Sequence, residues 1–262
     1  MPHLTCTIDD GIATIVLGDP PQNRIDRQMA DELAAAVEDI TRREARVVLL
    51  RADGPDFSFG GDIVDWPGTA TAELRALFEH YMNVFNSFER LPMPVIAAIQ
   101  GRCSGGGFEL ALRADVVIAA ESAHFGHPEQ TLGIVTLLGG IYRVAQRAGR
   151  ARAAEWALTS EQVQARTMAD AGVINRVVPD DALLQEATAV AQQLAKGPTR
   201  ARAAHKALLR AWSTGGTTAA DEAMCDIAMP LFETEDATAG LASAVAAHRA
   251  GKPRPSLDFT GR

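Results

Sequence analysis

The chain has 262 residues, 47% of them hydrophobic, so it can bury a large core without disulfides or a structural metal. Its 25 Lys and Arg stand against 33 Asp and Glu, a net charge of −8, which argues against recognition of a phosphate backbone and leaves nucleic acid an unexpected partner. Cys6, Cys103 and Cys225 are far apart with no CxxC pair, no basic leader precedes Asp9 and Asp10, and the apolar runs fall short of the roughly 20 residues of a membrane helix. Reduced thiols, a cytoplasmic location and no membrane partner are expected.

In chain order, Ile12–Leu17, Val47–Leu50, Val95–Ile99 and Val116–Ala119 are short apolar or β-branched runs bounded by Gly, Pro or charge, and read as buried strands. Between the first two, Leu33, Val37 and Ile40 recur at helical spacing, with Asp26, Asp31 and Glu32 near the helix start. Between the next two, Leu74, Leu77, Phe78, Tyr81, Phe85 and Phe88 form a longer apolar stripe. This alternation predicts an α/β fold with parallel pairing and right-handed crossovers. From about Arg150 the chain turns Ala-rich and helical, over Ala151–Leu158, Asp181–Ala195 and Arg200–Trp212, and is expected to leave the sheet. Gly197–Pro198 and Ser213–Gly216 punctuate these helices, which suggests a core over residues 1–196 and a helical part over 197–262, closed by an irregular tail after Gly251.

Three segments carry chemistry. Gly101-Arg102-Cys103-Ser104-Gly105-Gly106-Gly107-Phe108-Glu109 follows a strand and enters a helix, where the first N–H groups have no intrahelical partner and can stabilise an oxyanion, with Glu109 in the first turn. The same segment also suits a close-packed strand-to-helix turn. It is neither a GxGxxG fingerprint nor a GxSxG elbow, since Arg102 stands two before Ser104. Phe57-Ser58-Phe59-Gly60-Gly61-Asp62-Ile63 frees a second stretch of backbone beyond a strand, where parallel sheets gather ligands, although alone it reads more readily as a simple turn. In His124-Phe125-Gly126-His127-Pro128-Glu129, Glu129 lies 20 residues after Glu109, so both carboxylates can approach one cleft and divide acid and base duties. His124 and His127 lack a further ligand at metal spacing, and no metal is expected. His80, His205 and His248 have no chemical context.

In this order and spacing the segments resemble the crotonase superfamily of enoyl-CoA hydratases and isomerases. Pro20-Pro21-Gln22-Asn23 resembles the family's NPPxN turn, Pro94–Gly101 its PVIAAVNG strand, Ala171–Pro179 its AGLVNRVVP stretch and Phe232–Gly240 its terminal-helix signature. The resemblance implies a ββα spiral core with a C-terminal α-helical trimerisation part, assembled as a homotrimer or dimer of trimers. It implies an acyl-CoA thioester substrate, backbone N–H oxyanion donors at Gly61 and Gly106, and hydratase glutamates at Glu109 and Glu129. No metal or redox cofactor is implied, coenzyme A being part of the substrate. Around them, Phe59, Asp62, Trp66, Leu137 and Arg24 are the substrate-binding candidates, Arg24 or Arg27 toward CoA phosphates and Trp66 either against the acyl group or merely covering the helix beyond it. The chain departs from the family where Leu137 replaces a glycine beside the catalytic water, Gln130 an apolar residue, His127 a frequent Gln and Phe59 an Ala. These changes leave isomerisation, decarboxylation, hydrolysis or acyl-CoA binding without turnover as alternatives to water addition.

Overall fold

The computed structural model describes residues 2–262. Strands β1 (Leu4–Asp9) and β2 (Ile12–Leu17) pair antiparallel through Asp10 and Gly11, at φ 45° and 76°, the left-handed pair that a two-residue type I′ hairpin needs. The sequence pattern had not marked β1 as a strand. Asp26 caps helix α1 (Arg27–Arg42), its carboxylate accepting the Met29 N–H at 2.8 Å, and α1 buries Met29, Leu33, Ala36 and Ile40. The chain continues through β3 (Val47–Ala52), α2 (Thr71–Glu89), β4 (Val95–Ile99), β5 (Arg102–Ser104), α3 (Gly106–Ala111), β6 (Val116–Ala120) and β7 (His124–Gly126). A 3-10 turn at Pro128–Leu132 leads to α4 (Gly140–Ala148), α5 (Arg150–Thr159), β8 (Val163–Gln164), α6 (Ala165–Asp170), β9 (Arg176–Val178) and α7 (Leu183–Ala195). Helices α8 (Thr199–Ala228) and α9 (Glu235–Ala250) follow.

One sheet has the order β1-β2-β3-β4-β6-β9, parallel from β2 onward; the other has the order β5-β7-β8. Every residue of β4 is buried, as suits a central parallel strand covered on both faces, which reads as a continuous apolar run and not an alternating one. Because β5 follows β4 and β7 follows β6 within a few residues, the second sheet lies just past the carboxyl ends of the first. From its strands start α3 and the 3-10 turn, and these carry Glu109 and Glu129.

The chain does not leave the sheet after Arg150. Strand β8 pairs with β7, and β9 pairs with β6. Two- and three-residue strands hold too little pattern to be told from loop; β9 is fixed by Asn175, which exchanges hydrogen bonds with Val117, N to O at 2.9 Å and Val117 N to Oδ1 at 2.8 Å.

The chain forms two compact units, one of the chain up to Leu91 with Val95–Ala191, the other of Pro92–Pro94 with Gln192–Arg262. The division falls inside α7 and not at Gly197–Pro198. In the second unit α8 leaves helical geometry at Gly215 and Gly216, Thr234 caps α9, and the Asp236 carboxylate accepts N–H bonds from Thr260 at 2.8 Å and Gly261 at 2.9 Å, tying down the irregular tail. Among the described residues no helix is long and apolar enough to cross a membrane.

Candidate active site

The Gly60–Gly61 segment is positioned by two buried polar side chains. Asn23, with no exposed surface, gives both Nδ2 hydrogens to the Asp53 and Asp56 carbonyls, each at 2.9 Å. The Ser58 hydroxyl donates to the Asn23 carbonyl at 2.7 Å and accepts the Gly60 N–H at 3.1 Å. Ile25 N donates to Gly60 O and Asp62 N to Ile25 O, both at 2.9 Å, so Gly61 between them is held straight with its own N–H turned away.

Gly60 has φ 94°, and a methyl there would stand 2.9 Å from the Ser104 carbonyl; Gly105 has φ 51°, and a methyl there would stand 3.2 Å from Glu129 Oε1. Only glycine allows both the left-handed backbone and this close approach of the two segments. Among the described residues neither Gly61 N nor Gly106 N has an acceptor, and a methyl on Gly106 would lie 3.5 Å from Gly61 N. Two free amides therefore sit side by side.

Both amides open into a cavity of about 380 Å³ that is also lined by Arg24, Phe59, Trp66, Glu109, Glu129 and Leu137. Of the sequence candidates Asp62 and Arg27 are outside this lining; Asp62 is half-buried, and its Oδ1 accepts the Val64 N–H at 3.3 Å. Arg24 donates to the Gly61 carbonyl at 3.1 Å and to Gln22 at 2.7 Å, while Arg27 is exposed as the first residue of α1. Trp66 lines the cavity and also stacks edge-on against Phe78 of α2 at 5.1 Å. Phe78 and Tyr81, expected only as part of an apolar stripe, face the cavity as well.

Glu109 is 2% exposed, and its Oε1 accepts N–H bonds from Leu138 and Gly140, both at 2.8 Å. Burial first, and then the negative charge of Glu129, push its carboxyl up to about 7 against those two N–H donors. The loop that donates is itself held by Arg113, which has no exposed side-chain surface and gives Nη2 to the Leu138 carbonyl at 2.7 Å. Arg113 in turn binds Asn86 at 2.5 Å and Glu89 at 3.0 Å, with Arg143 at 2.5 Å on the same carboxylate. Burial, and then Arg143, lower Arg113 to about 10, which leaves it a cation at neutral pH.

Glu129 sits on the 3-10 turn; burial raises its carboxyl, and Oε2 is buried without a hydrogen-bond partner. Beside it, His127 is buried and His124 exposed, and among the described residues no group of three His, Cys, Asp or Glu is placed to hold a metal ion. Arg102 lies over the Phe59 ring at 4.7 Å and lines the cavity, where it brings a cation that sequence reasoning did not select. Also missed were the anchoring roles of Asn23, Ser58 and Arg113, although an arginine inside the apolar run from Leu110 to Ala120 was a readable signal.

A model of the enoyl-CoA hydratase/isomerase family matches residues 7–245. A Rhodobacter capsulatus protein named "probable enoyl-CoA hydratase" is 36% identical over 200 residues, covering 76% of this chain and 77% of the relative. An Escherichia coli 1,2-epoxyphenylacetyl-CoA isomerase is 33% identical over 205 residues, covering 76% and 78%. The crystal structure of an enoyl-CoA hydratase from Bacillus anthracis superposes with a TM-score of 0.88 at 26% identity, over 99% of this chain and 100% of that one.

Proposed function

The chain belongs to the enoyl-CoA hydratase/isomerase family, and on that premise we propose that it is a lyase that adds water reversibly to a 2-enoyl-CoA. The observation that carries this reading is the meeting of two buried carboxylates and two acceptor-free glycine amides in one cavity. The thioester oxygen accepts the Gly61 and Gly106 N–H groups, which stabilise the negative charge that grows on it as the enolate forms; one such donor is worth about 3 kcal/mol in the transition state. The water oxygen bonds to the β-carbon while a carboxylate takes one of its protons. A proton then reaches the α-carbon as the enolate collapses, so the net change is the addition of one water. Glu109 and Glu129 are the groups that orient the water and carry these protons. The step balances with no metal or redox group, because the thioester carbonyl is the electron sink.

A second reading is double-bond isomerisation with Glu129 as the single proton shuttle. It is favoured by Leu137, a bulky residue at the cavity wall, and by the engagement of Glu109 Oε1 with two amides. Arg24 and Arg102 are the cations that face CoA phosphates or an acidic acyl group in either reading, with Phe59, Trp66 and Leu137 around the substrate. Assembly as a homotrimer or dimer of trimers is part of the proposal, supported by exposed Leu209, Trp212, Met229, Phe232 and Leu241 in the second unit, and light scattering tests it. The three mutually unpaired cysteines support a cytoplasmic location.

The test is mass spectrometry of products from a panel of enoyl-, 3-hydroxyacyl- and malonyl-type CoA thioesters. A gain or loss of water that vanishes in Glu129→Gln is the expected result. A moved double bond replaces it with the second reading. Loss of carbon dioxide or release of free CoA transfers the enolate to another reaction, and binding without product removes catalysis altogether.

A further inference from the structure

His127 has no part in the reaction as written, yet it is the least comfortable polar group in the first unit. It is 3% exposed, neither ring nitrogen has a hydrogen-bond partner, and its Nδ1 lies 3.9 Å from Glu129 Oε2, which is also buried and unpartnered. Buried polar groups are rarely left in this state, and two orphans facing each other imply an interaction made in another state of the site. The gap exceeds a hydrogen bond by about 1 Å.

The imidazole cannot easily turn away to find another partner. It stacks on Phe108 with ring centroids 4.9 Å apart and planes at 32°. A methyl on Gly140 would meet its Cε1 at 2.3 Å and Glu109 Cγ at 2.9 Å, so the ring is wedged beside the backbone that holds Glu109. Burial lowers the imidazole to about 4, so it is neutral and carries one N–H. Of its two nitrogens, Nδ1 is the one placed opposite an acceptor.

We propose that His127 is a positioning residue that keeps its proton on Nδ1 and gives this N–H to Glu129 when an acyl-CoA fills the cavity, holding Glu129 as the carboxylate. This rests on the reading of Glu129 as the proton-carrying group. The other charged or titratable groups around Glu129 are Glu109 from α3, Arg102 from β5, Arg24 before α1 and Tyr81 from α2, with Arg113 behind Glu109. Tyr81, pushed up to about 12, is neutral at working pH, and Glu109, raised to about 7, changes charge near neutrality and is retained in every variant below.

Nitrogen-15 NMR of histidine-labelled protein, free and saturated with butyryl-CoA or octanoyl-CoA, reads the tautomer with no need for turnover. The expected result is a neutral ring with Nδ1 protonated, whose proton moves downfield on thioester binding; a proton on Nε2 in the saturated protein overturns the proposal. With a thioester that turns over, His127→Phe is expected to raise the acid limb of the kcat/KM profile by about one pH unit, a roughly tenfold loss on the acidic side with rates converging at high pH. His127→Gln, which restores a donor, is expected to lie within about threefold of the parent at every pH. An equal loss at all pH values in both variants means that His127 only fills space, and overturns the proposal. Thermal unfolding shows whether His127→Phe is folded, and if it is not, His127→Gln and the NMR decide. Absence of turnover across the thioester panel would count against the proposed function and leave the tautomer test standing.

Discussion

Glu109 and Glu129 reach one cavity from two differently built walls. Glu109 stands on α3 with Oε1 between the Leu138 and Gly140 N–H groups, each at 2.8 Å, and those amides are secured in turn by Arg113. Glu129 stands on a short 3-10 turn with Oε2 free of any partner and an orphan imidazole 3.9 Å away. One oxygen of the first carboxylate is committed by the fold, which orients the group and suits it to holding a water in place. The second keeps capacity in reserve, which a group that must accept and return a proton requires. Two residues of one type thus acquire different chemistry from what surrounds them.

The comparison breaks most visibly if the two glutamates respond alike to amidation. Glu129→Gln removes the proton carrier, and kcat is expected to fall by about 10³- to 10⁴-fold in steady-state assays with the thioester identified by mass spectrometry. Glu109→Gln is expected to cost about 10²-fold, because its amide oxygen can still accept from Leu138 and Gly140. Equal losses from the two variants would erase the distinction between a held and a mobile carboxylate.

Glu109 makes a second prediction that needs no substrate. Its folded carboxyl is raised to about 7 from an ordinary 4.5, so the stability it contributes is fully present below about pH 4.5 and is lost as pH rises through about 7. Glu109→Gln, neutral throughout, should therefore gain on the parent toward alkaline pH, by up to about 3 kcal/mol. Unfolding temperatures from pH 5 to 8.5 check this, and a gap independent of pH would mean that the carboxylate is not penalised by burial. A narrower probe touches one wall only: Gly105→Ala places a methyl 3.2 Å from Glu129 Oε1 at φ 51°. A stability loss of about 1–3 kcal/mol and a roughly tenfold lower kcat/KM are expected.

The parts of the fold that were legible in sequence are those with a long pattern. Four of the strands and helix α1 announce themselves by runs of four to six apolar or β-branched residues or by helical spacing, and the glycine segments by composition. Strands β5, β7, β8 and β9 have two or three residues each, and only the backbone partners they find across the chain make them strands. Proximity of Glu109 and Glu129 was inferable, because each follows a strand of one parallel sheet by a similar short path. What each carboxylate touches was not, since the donors to Glu109 come from residues 29 and 31 positions further on, in a loop without a periodic pattern. Asn23 and Ser58 were hidden for a related reason: a buried polar residue is recognised by its partners, and those that tie these two segments together lie 30 to 35 positions away.

Trp66 is the smallest expected effect and the one that separates both glutamates from substrate length. It reaches the cavity from the segment before α2 and rests edge-on against Phe78, with no bond to either carboxylate. Trp66→Ala opens apolar volume at that wall, and one methylene in such a pocket changes discrimination by about 1–3 kcal/mol. The preferred acyl chain should therefore lengthen, read as a shift in kcat/KM across a chain-length series, while kcat on the best substrate stays within about threefold. A uniform fall in kcat with an unchanged length profile would mean instead that Trp66 supports the backbone of Gly61, against which its ring lies close enough that a methyl there would meet it at 3.1 Å.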